Sequence, residues 1–200
     1  MIQDAQSNPI AGATPAARDL FDTACEAFAT YSGDPVSLFD AASAEAPDCL
    51  MIRLARAWCF TLATEPEAAA AARTALAEVA HFTADERAAG HLTGLRGALA
   101  GNWTEAARAP EHHLLRFPRD LIALQAGHLL DFLRADARTL RDRIAAPCRT
   151  GTACQAVPLS SGCTPSASNR RVPMRGQRTR GARPWRPTRT IAGRTMRSRM

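Results

Sequence analysis

The tetrapeptide Ala-Gly-His-Leu occurs twice, at residues 89–92 and 126–129, and gives His91 and His128 what read as equivalent positions in an internal repeat. Two imidazoles on neighbouring helices could bind a transition metal if further ligands converged on them. The other histidines are His81, His112 and His113. Adjacent helical residues project about 100° apart, so His112 and His113 rarely serve one ion. No His-Glu-x-x-His motif is present. The expectation is that His91 and His128 are packing or hydrogen-bonded helix residues. An enzyme with an inter-helix site would instead need His91, His128 and a carboxylate to converge.

Other chemistries lack a signature. No Gly-x-Ser-x-Gly elbow marks a nucleophilic serine. Cys25, Cys49 and Cys59 lie in apolar helical patterns, where a free cysteine acts as a small hydrophobe. Cys148, Cys154 and Cys163 lack Cys-x-x-Cys spacing, so neither zinc nor a disulfide framework is expected. A phosphate-binding loop of the Walker type needs a lysine, and the chain has none. The glycines of 90–97 sit within helical periodicity and read as close helix packing. Asp85, Glu86 and Asp131 read as helix caps or solvent-facing groups. No catalytic, cofactor-binding or metal residue is assigned.

The elements that would position these groups are helical, and residues 14–146 read as consecutive helices with short breaks. Thr14-Pro15 and Asp34-Pro35 each supply an N-cap followed by proline at the first helical position. Asp48 reads as the cap of a third helix carrying Leu50, Leu54, Trp58 and Leu62. Glu65-Pro66 opens an alanine-rich fourth helix. Thr83 and Glu86 read as a capping box for a fifth. Residues 103–117 form a sixth, which Pro110 should kink or break. Helices over 120–134 and 136–146 complete the set.

Asp48, Thr83 and Asp120 lie 35 and 37 residues apart, each followed seven residues later by a small residue, Ala55, Gly90 or Gly127. A period near 34 is that of tetratricopeptide-type helix pairs, which stack because no pair buries its apolar face alone. The expected fold is all-α: an antiparallel helix-pair solenoid over 14–146, after an N-terminal extension over 1–13. Leu54, Trp58, Leu92, Leu95, Leu124 and Leu129 are its expected core.

Charge divides the chain at the same boundary. Residues 1–146 hold 13 Arg and all 19 carboxylates, whereas residues 147–200 hold 12 Arg and no carboxylate. The basic segment has few large apolar groups with which to offset its ordering entropy, so a disordered tail is expected there. It could attract nucleic acid electrostatically, yet Trp185 is its only large aromatic, so base stacking is poorly supplied. Nucleic acid is therefore not the expected partner. The first residues lack a basic and apolar leader, and no apolar run reaches the ~20 residues of a membrane span. A cytoplasmic location without membrane association is the expectation.

Segments 33–66, "GDPVSLFDAASAEAPDCLMIRLARAWCFTLATEP", and 117–145, "FPRDLIALQAGHLLDFLRADARTLRDRIA", resemble the tetratricopeptide repeat protein 38 family. The likeness covers about residues 4–145. It implies a helical-repeat protein that binds a protein or peptide, and it carries over no catalytic residues. Where the family would continue with further helices, this chain turns arginine-rich. Codons compatible with 147–200, read one base out of frame, permit strings similar to the family's downstream sequence in the same order. The expectation is a frame change between about Arg143 and Pro147, which makes the chain a truncated family member with an out-of-frame tail.

Overall fold

Most helices begin where the sequence supplies an acceptor for first-turn donors that have no partner inside the helix. The structure, a computed structural model, describes residues 2–149, with side chains described through Arg143. Eight helices lie within that range: α1 (Pro15–Thr30), α2 (Pro35–Glu45), α3 (Leu50–Leu62), α4 (Pro66–Glu78), α5 (Glu86–Leu99), α6 (Trp103–Arg116), α7 (Leu121–Leu133) and α8 (Ala137–Arg149). The described residues contain no strand, only an isolated bridge between Gln3 and Pro9. The fold is all-α, as the periodicity predicts.

Thr14 Oγ1 accepts from Ala17 N at 3.1 Å, and Asp34 Oδ1 accepts from Val36 N and Ser37 N at 3.1 Å. Pro15, Pro35 and Pro66 occupy first-turn positions, where a missing N–H costs nothing. Two expected caps are displaced. α3 is preceded by Cys49, which makes no side-chain cap bond, so Asp48 does not cap it. α5 is capped by Asp85, whose Oδ1 accepts from Ala88 N at 2.8 Å. Asp85 immediately precedes the first helical residue, whereas Thr83 lies two residues too early, so no Thr83–Glu86 capping box forms. The N-caps of the odd-numbered helices are then Thr14, Cys49, Asp85 and Asp120, spaced 35, 36 and 35 residues apart.

α6 passes Pro110 without a break. The ring removes one backbone donor, and Pro110 is buried together with Ala106, Ala107 and His113 along one face. α8 runs three residues beyond the expected boundary at 146, to Arg149. The rest of the expected tail, residues 150–200, lies outside the described residues, as do Cys154, Cys163 and Trp185.

Each consecutive pair, α1 with α2, α3 with α4, α5 with α6 and α7 with α8, packs together. α3 packs on α5, and α6 on α7. α7 also meets α3, two pairs back along the chain, and α1, three pairs back. A one-dimensional stack has only nearest-neighbour contacts. The helix pairs therefore recur as expected, but the described array curls back on itself. Phe21, Phe39, Ile52, Leu54, Trp58, Leu95, Ile122 and Leu130 are fully buried at its centre. Each such side chain contributes about 1.5–3 kcal/mol of apolar burial. Of the expected core, Leu54, Trp58, Leu95 and Leu124 are buried, while Leu92 and Leu129 are half-buried.

The N-terminal segment is part of this body. Ile10 is 1 % exposed and belongs to the core, and Asp4 and Asn8 are buried. Gly12 adopts φ +78°, and a Cβ there would lie 3.2 Å from the Asp48 carbonyl oxygen. That combination of conformation and close approach requires glycine.

Gly94 faces Trp58 directly: a Cβ at Gly94 would lie 2.9 Å from Trp58 Cζ2. Gly94→Ala is expected to lower unfolding free energy by about 1–3 kcal/mol through overpacking, despite alanine's better helix propensity. Urea denaturation measures this, and an unchanged or higher midpoint would contradict the packing described.

Candidate functional site

A carboxylate at a helix N-cap ordinarily faces solvent and accepts a backbone N–H. Asp120 performs that task at α7, with Oδ1 3.2 Å from Ala123 N, but it is completely buried. Its Oδ2 accepts from Arg87 Nε at 2.7 Å and lies 3.1 Å from both His91 Nε2 and His113 Nε2. Arg87 and His91 come from successive inward turns of α5, and His113 comes from the last turn of α6. The two imidazole rings are 4.7 Å apart, and His113 also stacks on Phe117 at 4.9 Å.

Trp58 fixes the protons of this cluster. Its indole Nε1 is only a donor and lies 3.0 Å from His91 Nδ1. His91 Nδ1 is therefore an unprotonated acceptor, and its proton is on Nε2, directed at Asp120. Burial lowers the His91 pKa, outweighing the nearby carboxylate that would raise it. His91 is thus a neutral imidazole donating to an ionised carboxylate. Burial acts to raise the Asp120 pKa, but the Arg87 charge and the imidazole hydrogen bonds hold it well below the usual carboxylate range.

His91, His113 and Asp120 bring three ligand atoms within 4.8 Å of one another, close enough for a metal. The donor set does not fit one. A metal-bound histidine donates its second ring N–H outward. Here the second nitrogen of His91 accepts a hydrogen bond from Trp58 Nε1–H, so Nε2 could bind a cation only by becoming imidazolate. The Arg87 guanidinium already occupies Asp120 Oδ2, placing a positive charge beside any incoming ion. The arrangement is a hydrogen-bond network ordered from Trp58 through His91 to Asp120.

His128 does not take part. It is half-buried on α7, and its Nδ1 has no hydrogen-bond partner among the described residues. The two Ala-Gly-His-Leu segments are out of phase: His91 lies six residues after its cap Asp85, and His128 eight after Asp120. Two residues turn a helix by about 200°, so the second histidine faces away from the corresponding interface. The histidine that converges with His91 is His113. Its signal was the buried stripe Ala106, Pro110 and His113, which separates it from exposed His112. Arg87 and Asp4 carry no comparable motif, and Asp120 was marked only as a helix start.

The other groups are accounted for locally. Asp85 caps α5, and exposed Glu86 pairs with Arg116 at 3.0 Å. Asp131 neither caps a helix nor faces solvent: it is buried, with Arg143 Nε 2.6 Å from its Oδ2. Arg143 also reaches the Ala107 carbonyl at 3.1 Å, across the close approach left by Gly127. Cys25, Cys49 and Cys59 are free, and burial raises the pKa of each, that of Cys59 to about 12. None is a poised thiolate nucleophile. A cleft of about 300 Å³ between α5 and α6 is lined by Glu86, Thr93, His112, His113 and Arg116 among others. His113 contributes to its wall while its Nε2 is engaged by Asp120. No helix among the described residues is long and apolar enough to cross a membrane.

Comparison with family models, curated proteins and solved structures gives no match.

Two measurements test the network. The lowered pKa of His91 means that the unfolded chain binds more protons below the model-peptide value of 6.5. Stability is therefore fully present above that pH and declines as pH falls below it, with a further loss near and below 3.8 as Asp120 titrates. Trp58→Phe removes the indole donor, so protonation of His91 Nδ1 becomes easier in the folded state. The variant should lose about 1–3 kcal/mol at neutral pH through packing and the unmatched acceptor. Its pH dependence just below 6.5 should also flatten. Urea titrations across pH check both, and identical slopes for the two proteins would refute the proton assignment. Zinc in excess should leave the melting temperature unchanged, because an ion bound to the folded state would raise it.

Proposed function

We propose that the chain is a non-catalytic helical-repeat interaction protein that binds a protein or peptide, in keeping with its resemblance to the tetratricopeptide repeat protein 38 family. The observation that carries this reading is on α7. Phe132 and Leu133 are 66 % and 43 % exposed, although most of that helix is apolar and buried. Leu115 at the end of α6 is 79 % exposed. Large apolar side chains left in water are the usual material of interaction surfaces. The buried polar groups offer substrate chemistry little: the Asp120 oxygens are engaged by the protein itself, and the described thiols are protonated.

A cytoplasmic location accords with free cysteines at buried positions. The alternative of binding through the arginine-rich tail rests on residues outside the described structure, and a catalytic alternative would need His113 to act in the α5–α6 cleft.

The test is quantitative affinity purification from the native cells, comparing the wild-type chain with Phe132→Asp/Leu133→Asp. A partner held in stoichiometric amount by the wild type and reduced at least tenfold by the double variant is expected. The melting temperature should move little, because both side chains are already exposed. Equal recovery by both proteins would overturn the assignment of this face. An activity abolished by His113→Gln but retained by the α7 variant would overturn the non-catalytic reading.

A further inference from the structure

The helical array holds a compact N-terminal turn of its own chain through buried polar contacts. Residues 3–9 form a tight turn, closed by the Gln3–Pro9 bridge and by Ser7 at φ 66°. Asp4 organises it: Oδ1 accepts from Gln6 N at 3.0 Å and from Asn8 N at 2.7 Å. Its Oδ2 turns inward to Arg87 Nη2 at 2.8 Å, and the two side chains are only 1 % and 2 % exposed. The same guanidinium donates from Nη1 to the Pro9 carbonyl at 3.0 Å. Asn8 Nδ2 donates to the Arg119 carbonyl at 3.4 Å on the α6–α7 turn. Ala5 N donates to Asp22 Oδ1 of α1 at 3.0 Å. Ile10 fills an apolar socket and is 1 % exposed.

The recognition has the features of peptide capture. One carboxylate and one backbone carbonyl meet a single arginine fork, two further contacts read the turn's shape, and one aliphatic side chain anchors it. Asp120 holds the same guanidinium from Nε at 2.7 Å, a second anchor for the fork beside Asp4. Preorganisation of this kind reduces the cost of binding a segment from solution. Only residues 11–14 join the turn to α1, so the resident segment competes at a high effective concentration.

We propose that the cradle formed by α1, α5 and the α6–α7 turn is a peptide-binding site. Its ligand class is a turn presenting an aspartate four residues before Asn-Pro, and residues 2–10 are its resident, displaceable occupant. This deepens the interaction reading by naming a ligand class and a second surface, distinct from Phe132 and Leu133. The α7 double variant leaves this cradle intact, so failure of either idea is recognisable separately.

The experiment uses the full chain carrying Asp4→Asn and a fluorescent synthetic peptide of residues 1–13. Saturable binding in anisotropy titrations is expected, with none by the wild-type chain over the same range because its own segment blocks the cradle. A peptide carrying Asp4→Asn should bind at least tenfold more weakly. No saturable binding by the variant chain, with its helical circular dichroism intact, overturns the proposal. Equal binding of the two peptides does so as well. Amide exchange on the wild-type chain decides the matter if the variant does not fold. The amides of Ser7, Asn8 and Ile10, bonded to Asp4 O, Asp4 Oδ1 and Ile2 O, should exchange at least 100-fold faster than those of Leu54 and Leu95. Exchange at the same rate as these core amides would show that the segment leaves only on global unfolding, and would refute displaceability.

Discussion

A carboxylate taken out of water destabilises a fold unless its charge is matched and its lone pairs are occupied, and Asp120 meets both conditions. Arg87 supplies a positive charge that Asp120 shares with Asp4, and Ala123, His91 and His113 supply further donors. The two ends of that arrangement reach different elements. Through His91 it extends to Trp58 of α3, and through Arg87 to Asp4 and Pro9 of the N-terminal segment. Breaking a buried pair on one side typically costs about 3–5 kcal/mol, a large share of the whole stability of a domain this size. Replacing an entire network by apolar groups can be far less costly. The polar cluster ties side chains of α3, α5, α6 and the α7 cap to one another.

The network accounts for the departure from a simple stack. Helix pairs of period 35–36 would propagate in one direction if only neighbouring pairs met. Here the cap of α7 is drawn inward to α5, α7 meets α1 and α3, and Gln125 of α7 donates to the Tyr31 hydroxyl at 2.8 Å. The inner side that an open array would present is taken up by these contacts and by the N-terminal turn. The large apolar exposure among the described residues lies at Leu115, Phe132, Leu133 and Tyr31, and the proposed partner surface is drawn from these.

Helix number, order and most boundaries were legible because proline and short polar side chains signal helix starts through local chemistry. Thr14, Asp34 and Asp120 were read correctly for that reason. Asp48 and Thr83 were misplaced because a capping residue one or two positions away is equally plausible until the first turn is seen. The paired Ala-Gly-His-Leu segments misled more deeply. Identical tetrapeptides imply identical environments only when they share a phase with the helix start, and two residues of offset separated His91 from His128. His113 could have been found from its buried stripe. Arg87, Asp4 and Asp131 could not, because burial of a charge depends on partners 12 to 83 residues away, as in Arg143–Asp131 and Arg87–Asp4. Sequence periodicity treats such residues as surface. Pro110 was a local rule overridden: its one lost backbone bond is small beside the burial of that face of α6.

The N-terminal turn has a consequence for the order of events during synthesis. Two of its partners lie far along the chain: Asp4 meets Arg87 at a separation of 83 residues, and Asn8 meets Arg119 at 111. A ribosome adding about 5–20 residues per second needs on the order of 5–20 s to make that intervening stretch. Asp4 and Asn8 therefore wait for those partners, although Ala5 can meet Asp22 as soon as α1 is made. Until α5 exists, the Asp4 carboxylate keeps its water.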